Sequence, residues 1–299
     1  MTETQTPVLH CGRTTKHLHW WVLAALLCPV GGAIWRVGAP AAILVGTAAV
    51  AAWLGQVIVT RRVARHDGSI ITGVILALTL PATSPFWLSP LGAMLAIVVG
   101  KHLAGGAGNT LFNPAAVGRA LLMGLVPGVM FAAQWPTDAI STASPLAKEI
   151  DSVLVPWVDL FMGDHPGSLA DAGPLFVLGG GVVLLLARVV DGWTPLCYFG
   201  AISLFSMILP PSGRIEGHAP WLATNPLFHL VGGGTLMVGF FMLTDPVTSP
   251  FTRRGRIVFA VTSALFVMLV RTYTVYPDAG VLSVLFANAL VPLIDRRTI

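Results

Sequence analysis

The residues best suited to covalent chemistry stand close together in one polar stretch. Asp138 is followed at short range by three hydroxyl side chains, Ser141, Thr142 and Ser144, and the small Ala143 precedes the last of them. Another enzyme can esterify a hydroxyl that is exposed and flexible and has a small neighbour. The same residue types also crowd ordinary turns, so the stretch by itself leaves both interpretations open.

Other polar side chains fall within or beside long apolar runs. Arg119 lies inside one, where an unpaired charge is costly, so this side chain must pair or face a polar cavity. Its partner could be the phosphate of a cofactor. Alternatively, it could be a carboxylate at an interface between subunits or a carbonyl at the end of a helix. Asp245 could bind a cation or cap a helix, and the cap is favoured. Asn109 and Asn113 are expected to satisfy backbone groups where a helix breaks.

The histidines and cysteines do not predict a metal site. His17 and His19 lack further nearby ligands and are interpreted, with Trp20 and Trp21, as a group at the membrane edge. The three cysteines are too few and too scattered for an iron–sulfur cluster, which takes about four thiolates at close spacing.

These residues belong to a chain whose composition predicts an integral membrane protein. Of 299 residues, 55% are hydrophobic and 10% are charged, against about 25% charged in a soluble domain. Apolar runs of about 20 residues recur, each long enough to cross a bilayer. We expect one all-α membrane domain over residues 1–299. The net charge of +4 does not indicate nucleic acid, because the basic residues cluster at the ends of apolar runs.

The apolar runs and their breakers predict about ten spans. The third is short and breaks at Pro81 and Pro85, which indicates a half-helix or re-entrant element rather than a simple crossing. The predicted spans are residues 20–35, 40–60, 69–82, 88–101, 111–132, 174–189, 194–210, 227–243, 256–271 and 279–294.

Basic residues set the predicted orientation. With the N-terminus inside, twelve basic residues, including Lys101, fall in inner loops, and four, including Arg271, fall in outer loops. Because lysine and arginine favour the inner side, both termini should be cytoplasmic.

An internal repeat divides the chain. Residues 78–86 and 243–251 are identical at seven of nine positions and end the third and eighth predicted spans. An odd number of spans separates them, which predicts two inverted five-helix repeats, residues 1–132 and 174–299, with broken helices. The alternative is that Thr-Ser-Pro merely caps two helices. The connecting loop, residues 133–173, lies on the outer side and is acidic, and its length favours a function.

Several further runs resemble one family. In chain order they are residues 100–115, 165–168, 244–250, 276–280 and 288–295. They are similar to the membrane component shared by the Rnf complexes, where it is the D component, and the Na⁺-translocating NADH:quinone reductases, where it is the B component. The resemblance covers about residue 60 to the C-terminus, and the lack of a long N-terminal extension makes the chain closer to the Rnf component.

The resemblance implies a cofactor for the hydroxyl stretch. In that family a flavin transferase attaches FMN, through a phosphoester, to the last hydroxyl of Asp-x-x-Ser/Thr-Gly-Ala-Thr/Ser. Here this hydroxyl is that of Ser144, within the motif begun by Asp138 and completed by Ser141, Thr142 and Ala143. Thr142 and Ser144 stand where the family usually has Gly and Thr. Some members hold a second flavin, riboflavin, within the membrane.

The resemblance also implies a function. Such complexes pass electrons from NADH or ferredoxin through flavins and iron–sulfur centres and couple this to Na⁺ or H⁺ transport in the bacterial inner membrane. Expected partners are the other membrane and iron–sulfur subunits and the flavin transferase. The family's fold is similar to that of urea transporters, so the alternative is a channel or transporter without a redox role. The flavin motif favours the redox role.

Overall fold

The computed structural model describes most of the chain. The described residues are 14–62, 68–103, 105–106, 108–130, 161–163, 167–209, 226–274 and 279–298. Within them the fold is helical, and β-pairing is confined to one antiparallel bridge between Pro81 and Ser168.

The α-helices follow the predicted apolar runs. They are α1 (Thr15–Val37), α2 (Ala39–Thr60), α3 (Ser69–Thr79), α4 (Leu88–Leu95), α5 (Pro114–Leu125), α6 (Pro127–Met130), α7 (Pro174–Leu186), α8 (Trp193–Ile208), α9 (Pro226–Val231), α10 (Thr235–Met237), α11 (Arg253–Tyr273) and α12 (Gly280–Thr298). Two π-helical segments continue α4 and α10, and we call them π1 (Ala96–Leu103) and π2 (Val238–Met242).

Three of the helices are long and apolar enough to cross a membrane. They are α1, α2 and α11, of 23, 22 and 21 residues, and at 1.5 Å per residue each spans about 30 Å. Five other apolar helical stretches are shorter. Each of the ten predicted spans nevertheless contains a helix at its expected place.

Helix starts agree with their sequences. Thr14 and Thr252 cap α1 and α11 by accepting hydrogen bonds from the backbone N–H groups of His17 (3.4 Å) and Gly255 (3.0 Å). Chain reversal between α1 and α2 occurs at Gly38, whose φ of 81° suits glycine.

Glycine allows the helices of the core to approach closely. A Cβ at Gly73 of α3 would lie 2.5 Å from the carbonyl oxygen of Ala48 in α2. A Cβ at Gly180 of α7 would lie at the same distance from the carbonyl oxygen of Ala25 in α1. Small residues are the usual means by which membrane helices pack backbone to backbone.

Large apolar side chains cover much of the outside. Leu186, Trp35 and Ile58 are among those mostly exposed. Apolar exposure on this scale is unusual for a soluble protein and is expected of a surface that contacts lipid.

The structure corrects the sequence prediction in two places. The eighth predicted span is interrupted between α9 and α10 by residues 232–234, because Gly233 and Gly234 adopt positive φ values of 64° and 68°. The basic-residue pattern predicts Lys101 and Arg271 in loops, but they lie buried in π1 and in the last turn of α11.

Candidate functional site

Two short helices occupy corresponding places in the two halves of the chain. The first, α3, follows Gly68, whose φ is 76°, and ends at Thr79. The second, formed by α10 and π2, follows Gly234 and ends at Met242. Each runs into one copy of the repeated nonapeptide, which we call copy 1 (residues 78–86) and copy 2 (residues 243–251). The next helices, α4 and α11, begin at the same offset from their copies.

The guanidinium of Arg271 closes the helix break at residues 232–234. Its Nη1 donates to the carbonyl of His229 (2.9 Å), and its Nη2 donates to the carbonyls of Gly232 and Gly233 (both 3.1 Å). Nη2 also lies 2.9 Å from Oγ1 of Thr235, whose hydroxyl donates to the same end of α9. A cation thus satisfies carbonyls that the interrupted helix leaves without intrahelical partners.

The carboxylate of Asp171 binds the other side of this break. Its Oδ1 accepts a hydrogen bond from the backbone N–H of Gly234 at 2.6 Å. Its Oδ2 accepts from the backbone N–H (3.1 Å) and hydroxyl (2.9 Å) of Ser168. Asp171 is 6% exposed and lies within Coulombic reach of both Arg119 and Arg271.

Asp171 belongs to a segment that also pairs with copy 1. We call residues 167–173 the strap, because they end the long loop and lead directly into α7. Backbone N–H groups of Leu169 and Ala170 donate to the carbonyls of Leu80 (2.9 Å) and Leu78 (2.8 Å). In return, the N–H of Ala82 donates to the carbonyl of residue 167 (3.2 Å). The strap therefore joins copy 1 in the first half to the helix break in the second half.

Asn113 and Asn288 join the two halves at a second point. Oδ1 of Asn113 accepts from the N–H groups of Ala115 and Ala116 (3.0 and 3.3 Å) and so caps α5. The N–H of Asn113 donates to Oδ1 of Asn288 (3.0 Å), whose Nδ2 donates to the carbonyl of Thr248 in copy 2 (2.9 Å). The prediction that Asn113 satisfies backbone near a break is confirmed.

Asp245 caps the turn that begins copy 2. Its Oδ1 accepts from the N–H of Val247 (3.0 Å) and its Oδ2 from the hydroxyl of Thr248 (3.4 Å). The N–H of Ser249 bonds to the carbonyl of Asp245 (3.2 Å), which completes one helical turn. Of the two predicted roles, the capping role is the one that these bonds describe.

A cavity of about 290 Å³ lies between the two halves. Apolar side chains such as Ile71, Phe240 and Phe241 form most of its wall. Polar groups enter from His19 and Lys101, and also from residues around Asn113 and Asp245. A mostly apolar cavity with a few polar groups, near the small end of the usual size range, is typical of a ligand pocket.

The predicted site residues have different outcomes. Arg119 is buried in α5 at 3% exposure, near a carboxylate of its own chain. Its contact with a flavin phosphate stays a prediction. The motif residues lie outside the described part of the chain, so their role also stays a prediction. They are Asp138, Ser141, Thr142, Ala143 and Ser144.

The two histidines of the predicted membrane-edge group lie in different environments. Nε2 of His17 accepts a hydrogen bond from Nε1 of Trp21 (3.0 Å), as expected of a group at an edge. His19 instead lines the cavity. Across the described residues, no cluster of three histidine, cysteine, aspartate or glutamate side chains is placed to hold a metal ion.

Three residues that organise the site are not predicted as such by the sequence. The basic-residue pattern assigns Arg271 to a loop. Asp171 stands out only as one residue of the acidic connecting loop, and Asn288 only as part of a motif. The available signal is that each is a polar residue beside an apolar run. Residues of this kind must find buried partners in a membrane.

Comparisons with known proteins give the family of the chain. The model of the NQR2, RnfD, RnfE family matches residues 2–299. The D component of the Na⁺-translocating ferredoxin:NAD⁺ oxidoreductase complex of Acetobacterium woodii is 30% identical, over 100% of this chain and 93% of its own length. The D component of the proton-translocating ferredoxin:NAD⁺ oxidoreductase complex of Clostridium ljungdahlii is 28% identical, over 99% and 94%. The D component of the ion-translocating oxidoreductase complex of Escherichia coli is 29% identical, over 98% and 95%.

The matches extend through both halves of the chain, the strap and the long loop between them. The family model and these relatives cover nearly the whole sequence. This chain belongs to the NQR2, RnfD, RnfE family.

Proposed function

We propose that this chain is the flavin-carrying membrane subunit of an ion-translocating electron-transport complex of the Rnf type. The observation that carries the proposal is the end-to-end similarity to the D components of complexes named for ferredoxin:NAD⁺ oxidoreduction coupled to Na⁺ or proton movement. As part of such an oxidoreductase, the chain would pass electrons between partners. It has no dinucleotide-binding loop in its sequence, so nucleotide binding falls to other subunits.

In this proposal Ser144 carries FMN through a phosphoester. Asp138 and Ser141 complete the motif, and Ala143 leaves room for the flavin transferase beside the reacting hydroxyl. Bound FMN supplies electron transfer at the outer surface of the membrane, and the covalent bond keeps it from dissociating between turnovers. The strap's backbone bonds to copy 1 fix the C-terminal end of the same loop against the helices of the first half.

The cavity between the halves is our candidate for the second, non-covalent flavin. Its flat apolar walls at Phe240 and Phe241 suit an aromatic ring system, and polar groups of His19, Lys101 and Asn113 suit the ring's polar edge. At about 290 Å³ the cavity is near the lower limit of ligand pockets, about 300 Å³. These residues would hold and orient the ring and keep bulk water from it.

We place the chain in the bacterial inner membrane, with ten spans in two inverted repeats and both termini in the cytoplasm. Three observations support this. The half-helices α3 and α10–π2 each follow a glycine of positive φ, each ends in one copy of the nonapeptide, and the following helices begin at matching offsets. Unwound backbone is tolerated at membrane depth only where it is buried, as it is around Arg271 and Asp171.

The proposal is tested by isolating the chain from membranes of its own host. A C-terminally tagged chain, extracted in mild detergent, should copurify with further membrane subunits and at least one protein that contains iron and acid-labile sulfide. The untagged strain is the control for non-specific binding. Isolation as a single protein that moves urea into liposomes would favour the channel and contradict the proposal.

A further inference from the structure

Four exposed arginines lie together at one end of the second half of the chain. Arg253 and Arg254 begin α11, and Arg296 and Arg297 lie in the last turn of α12. The two helices pack against each other, and the start of one adjoins the end of the other. We call these four residues the arginine patch. In the proposed orientation the patch faces the cytoplasm.

Two hydrogen bonds hold these helix ends together. The hydroxyl of Thr252, the cap of α11, donates to Oγ1 of Thr298 at 2.9 Å, although the two threonines are 46 residues apart in the chain. The backbone N–H of Phe251 donates to Oδ1 of Asp295 at 3.2 Å. The bonded residues are close neighbours of the arginines in sequence. Tertiary structure therefore forms the patch from two distant parts of the chain.

The described part of the chain does not neutralise the patch. The guanidinium of Arg253 lies over the ring of Trp193, 3.9 Å from the ring centroid, and this contact orients the cation without removing its charge. The carboxylate of Asp191, two residues before Trp193, lies 3.7 Å from Arg256, which is not part of the patch. Among the described residues, no carboxylate forms an ion pair with the four arginines. Their charge is therefore available to an anion from outside the chain.

The stability of the helices does not account for all four cations. Arg296 and Arg297 lie in the last turn of α12, where the helix dipole favours positive charge. Arg253 and Arg254 lie in the first turn of α11, where the same dipole disfavours positive charge. The preference of basic residues for the inner side explains the sign of these charges but not their convergence on one point. An external anion would offset the repulsion among them.

Exposed apolar side chains border the patch. Phe251, two residues before Arg253, is 80% exposed, and Leu293, one helical turn before Arg297, is 56% exposed. The ring of Trp193, which contacts Arg253, is exposed as well. Apolar surface beside cations is expected where a membrane protein meets the lipid headgroups, because acyl chains contact the apolar part and phosphates contact the charged part. The patch therefore suits a phospholipid better than a soluble anion.

We propose that the arginine patch is a binding site for the headgroup of an anionic phospholipid, whose acyl chains lie along Phe251 and Leu293. A guanidinium can donate two parallel hydrogen bonds to phosphate oxygens, and basic clusters at the membrane surface attract anionic headgroups. A phosphatidylcholine headgroup carries its own cation beside the phosphate, so it should bind weakly. The site is independent of the flavin and goes beyond the proposed electron-transport function, and only the choice of leaflet follows from the proposed orientation.

The test measures the affinity of the purified full chain for defined phospholipids in a neutral detergent, by native mass spectrometry. Cardiolipin and phosphatidylglycerol are compared with phosphatidylcholine. Two double variants each remove the charge of half the patch, and they are Arg253→Gln with Arg254→Gln and Arg296→Gln with Arg297→Gln. Because only folded chain enters the comparison, the melting midpoint of each variant is measured in the same detergent.

The first half of the chain supplies a matched control. Arg61 and Arg62 are exposed at the end of α2, on the same predicted side of the membrane. Arg61→Gln with Arg62→Gln removes the same charge from the chain but not from the patch. A second control, Arg296→Lys with Arg297→Lys, keeps the charge of the patch and shortens the hydrogen-bonding group.

We expect wild-type chain to bind cardiolipin and phosphatidylglycerol more tightly than phosphatidylcholine. One arginine near an anionic membrane surface contributes a factor of about five in affinity, so each glutamine double variant should bind cardiolipin about tenfold or more weakly. The control at positions 61 and 62 should match wild type, and the lysine variant should retain more binding than the glutamine variant. An equal loss at positions 61 and 62, or a lysine variant as weak as the glutamine one, would overturn the proposal.

Two further measurements identify the occupant. Millimolar inorganic phosphate should leave bound cardiolipin in place, and its displacement by phosphate alone would assign the patch to a free anion. The whole complex, purified from host membranes, should retain anionic lipid that is lost in Arg296→Gln with Arg297→Gln. If the lipid content of the complex does not change in this variant, the patch is covered by another subunit and the proposal is wrong. A chain without covalent flavin would refute the flavin proposal and leave these results unaffected.

Discussion

The backbone N–H of Asn113 donates a hydrogen bond to the side-chain oxygen of Asn288 at 3.0 Å, although the two residues belong to opposite halves of the chain. The same Asn288 amide donates to the carbonyl of Thr248. One buried side chain thus satisfies the start of α5 and the end of copy 2. Inside a membrane, a buried polar group has no water as an alternative partner. Such hydrogen bonds therefore determine which helices pack against each other.

Asn288→Leu should therefore destabilise the fold. The substitution leaves the N–H of Asn113 and the carbonyl of Thr248 buried without these partners, at a cost of about 2–4 kcal/mol. The midpoint of thermal unfolding in detergent should fall clearly. Asn288→Asp keeps the acceptor oxygen but loses the donor, so its midpoint of thermal unfolding should also fall below that of wild type. A melting midpoint for Asn288→Leu equal to that of wild type would contradict this role.

Arg271→Lys should destabilise the protein less than Arg271→Met does, and both variants should be less stable than wild type. Lysine keeps a charge but cannot reach three carbonyls with a planar fork. Arg271→Met removes the cation from the break and one of the two arginines within Coulombic reach of Asp171, which costs about 3–5 kcal/mol. Denaturant unfolding of the purified protein measures the order. Arg256→Met, which removes an arginine that is only partly buried, is the control, and an equal loss in both variants would contradict a special role for Arg271.

Arg119 and Asp171 should be energetically coupled. Both are buried, and their opposite charges lie within Coulombic reach. A double-mutant cycle with Arg119→Met and Asp171→Asn should give an interaction free energy of about 1 kcal/mol or more, so that the double variant loses less stability than the two single variants together. Strict additivity would show that Arg119 serves a different partner.

The orientation can be tested with reporter fusions. Fusions after Arg62, after Arg254 and at the C-terminus should report the cytoplasmic side, whereas a fusion in the loop around Ser144 should report the outer side. If the loop fusion and the Arg254 fusion report the same side, the result would contradict the inverted repeat. It would also contradict attachment of flavin on the outer face. Fusions within α2, before its span is complete, provide an internal control.

The helices could be predicted well because membrane helices are specified by long apolar runs, and each predicted span contains one. The short third span could also be identified, from Pro81 and Pro85. The break in the eighth span could not, because Gly233 and Gly234 lie between apolar residues and a glycine alone does not fix a positive φ. Only the three-dimensional structure shows that the helix is interrupted at these two glycines.

The polar connections were harder to predict than the helices. Arg271 lies at the end of its apolar run, where a loop residue and a buried helix residue look alike in sequence. Its carbonyl partners lie in α9 and in the break that follows it, far away along the chain. Gly234 is equally far along the chain from Asp171. The role of Asn113 is predicted correctly because its capping bonds are local, to Ala115 and Ala116. Local partners can be predicted from one sequence, and distant partners cannot.

The intact mass of the denatured chain, expressed with its flavin transferase, tests the central claim most directly. Ser144→Ala removes one hydroxyl in a loop between the two halves, so insertion and assembly should be unchanged. Wild-type chain should exceed its sequence mass by one FMN less one water and fluoresce as a flavin in a denaturing gel, and Ser144→Ala should show neither property. An adduct that persists in Ser144→Ala would place the bond on Thr142 or Ser141, and a wild-type chain without any covalent flavin would contradict the account.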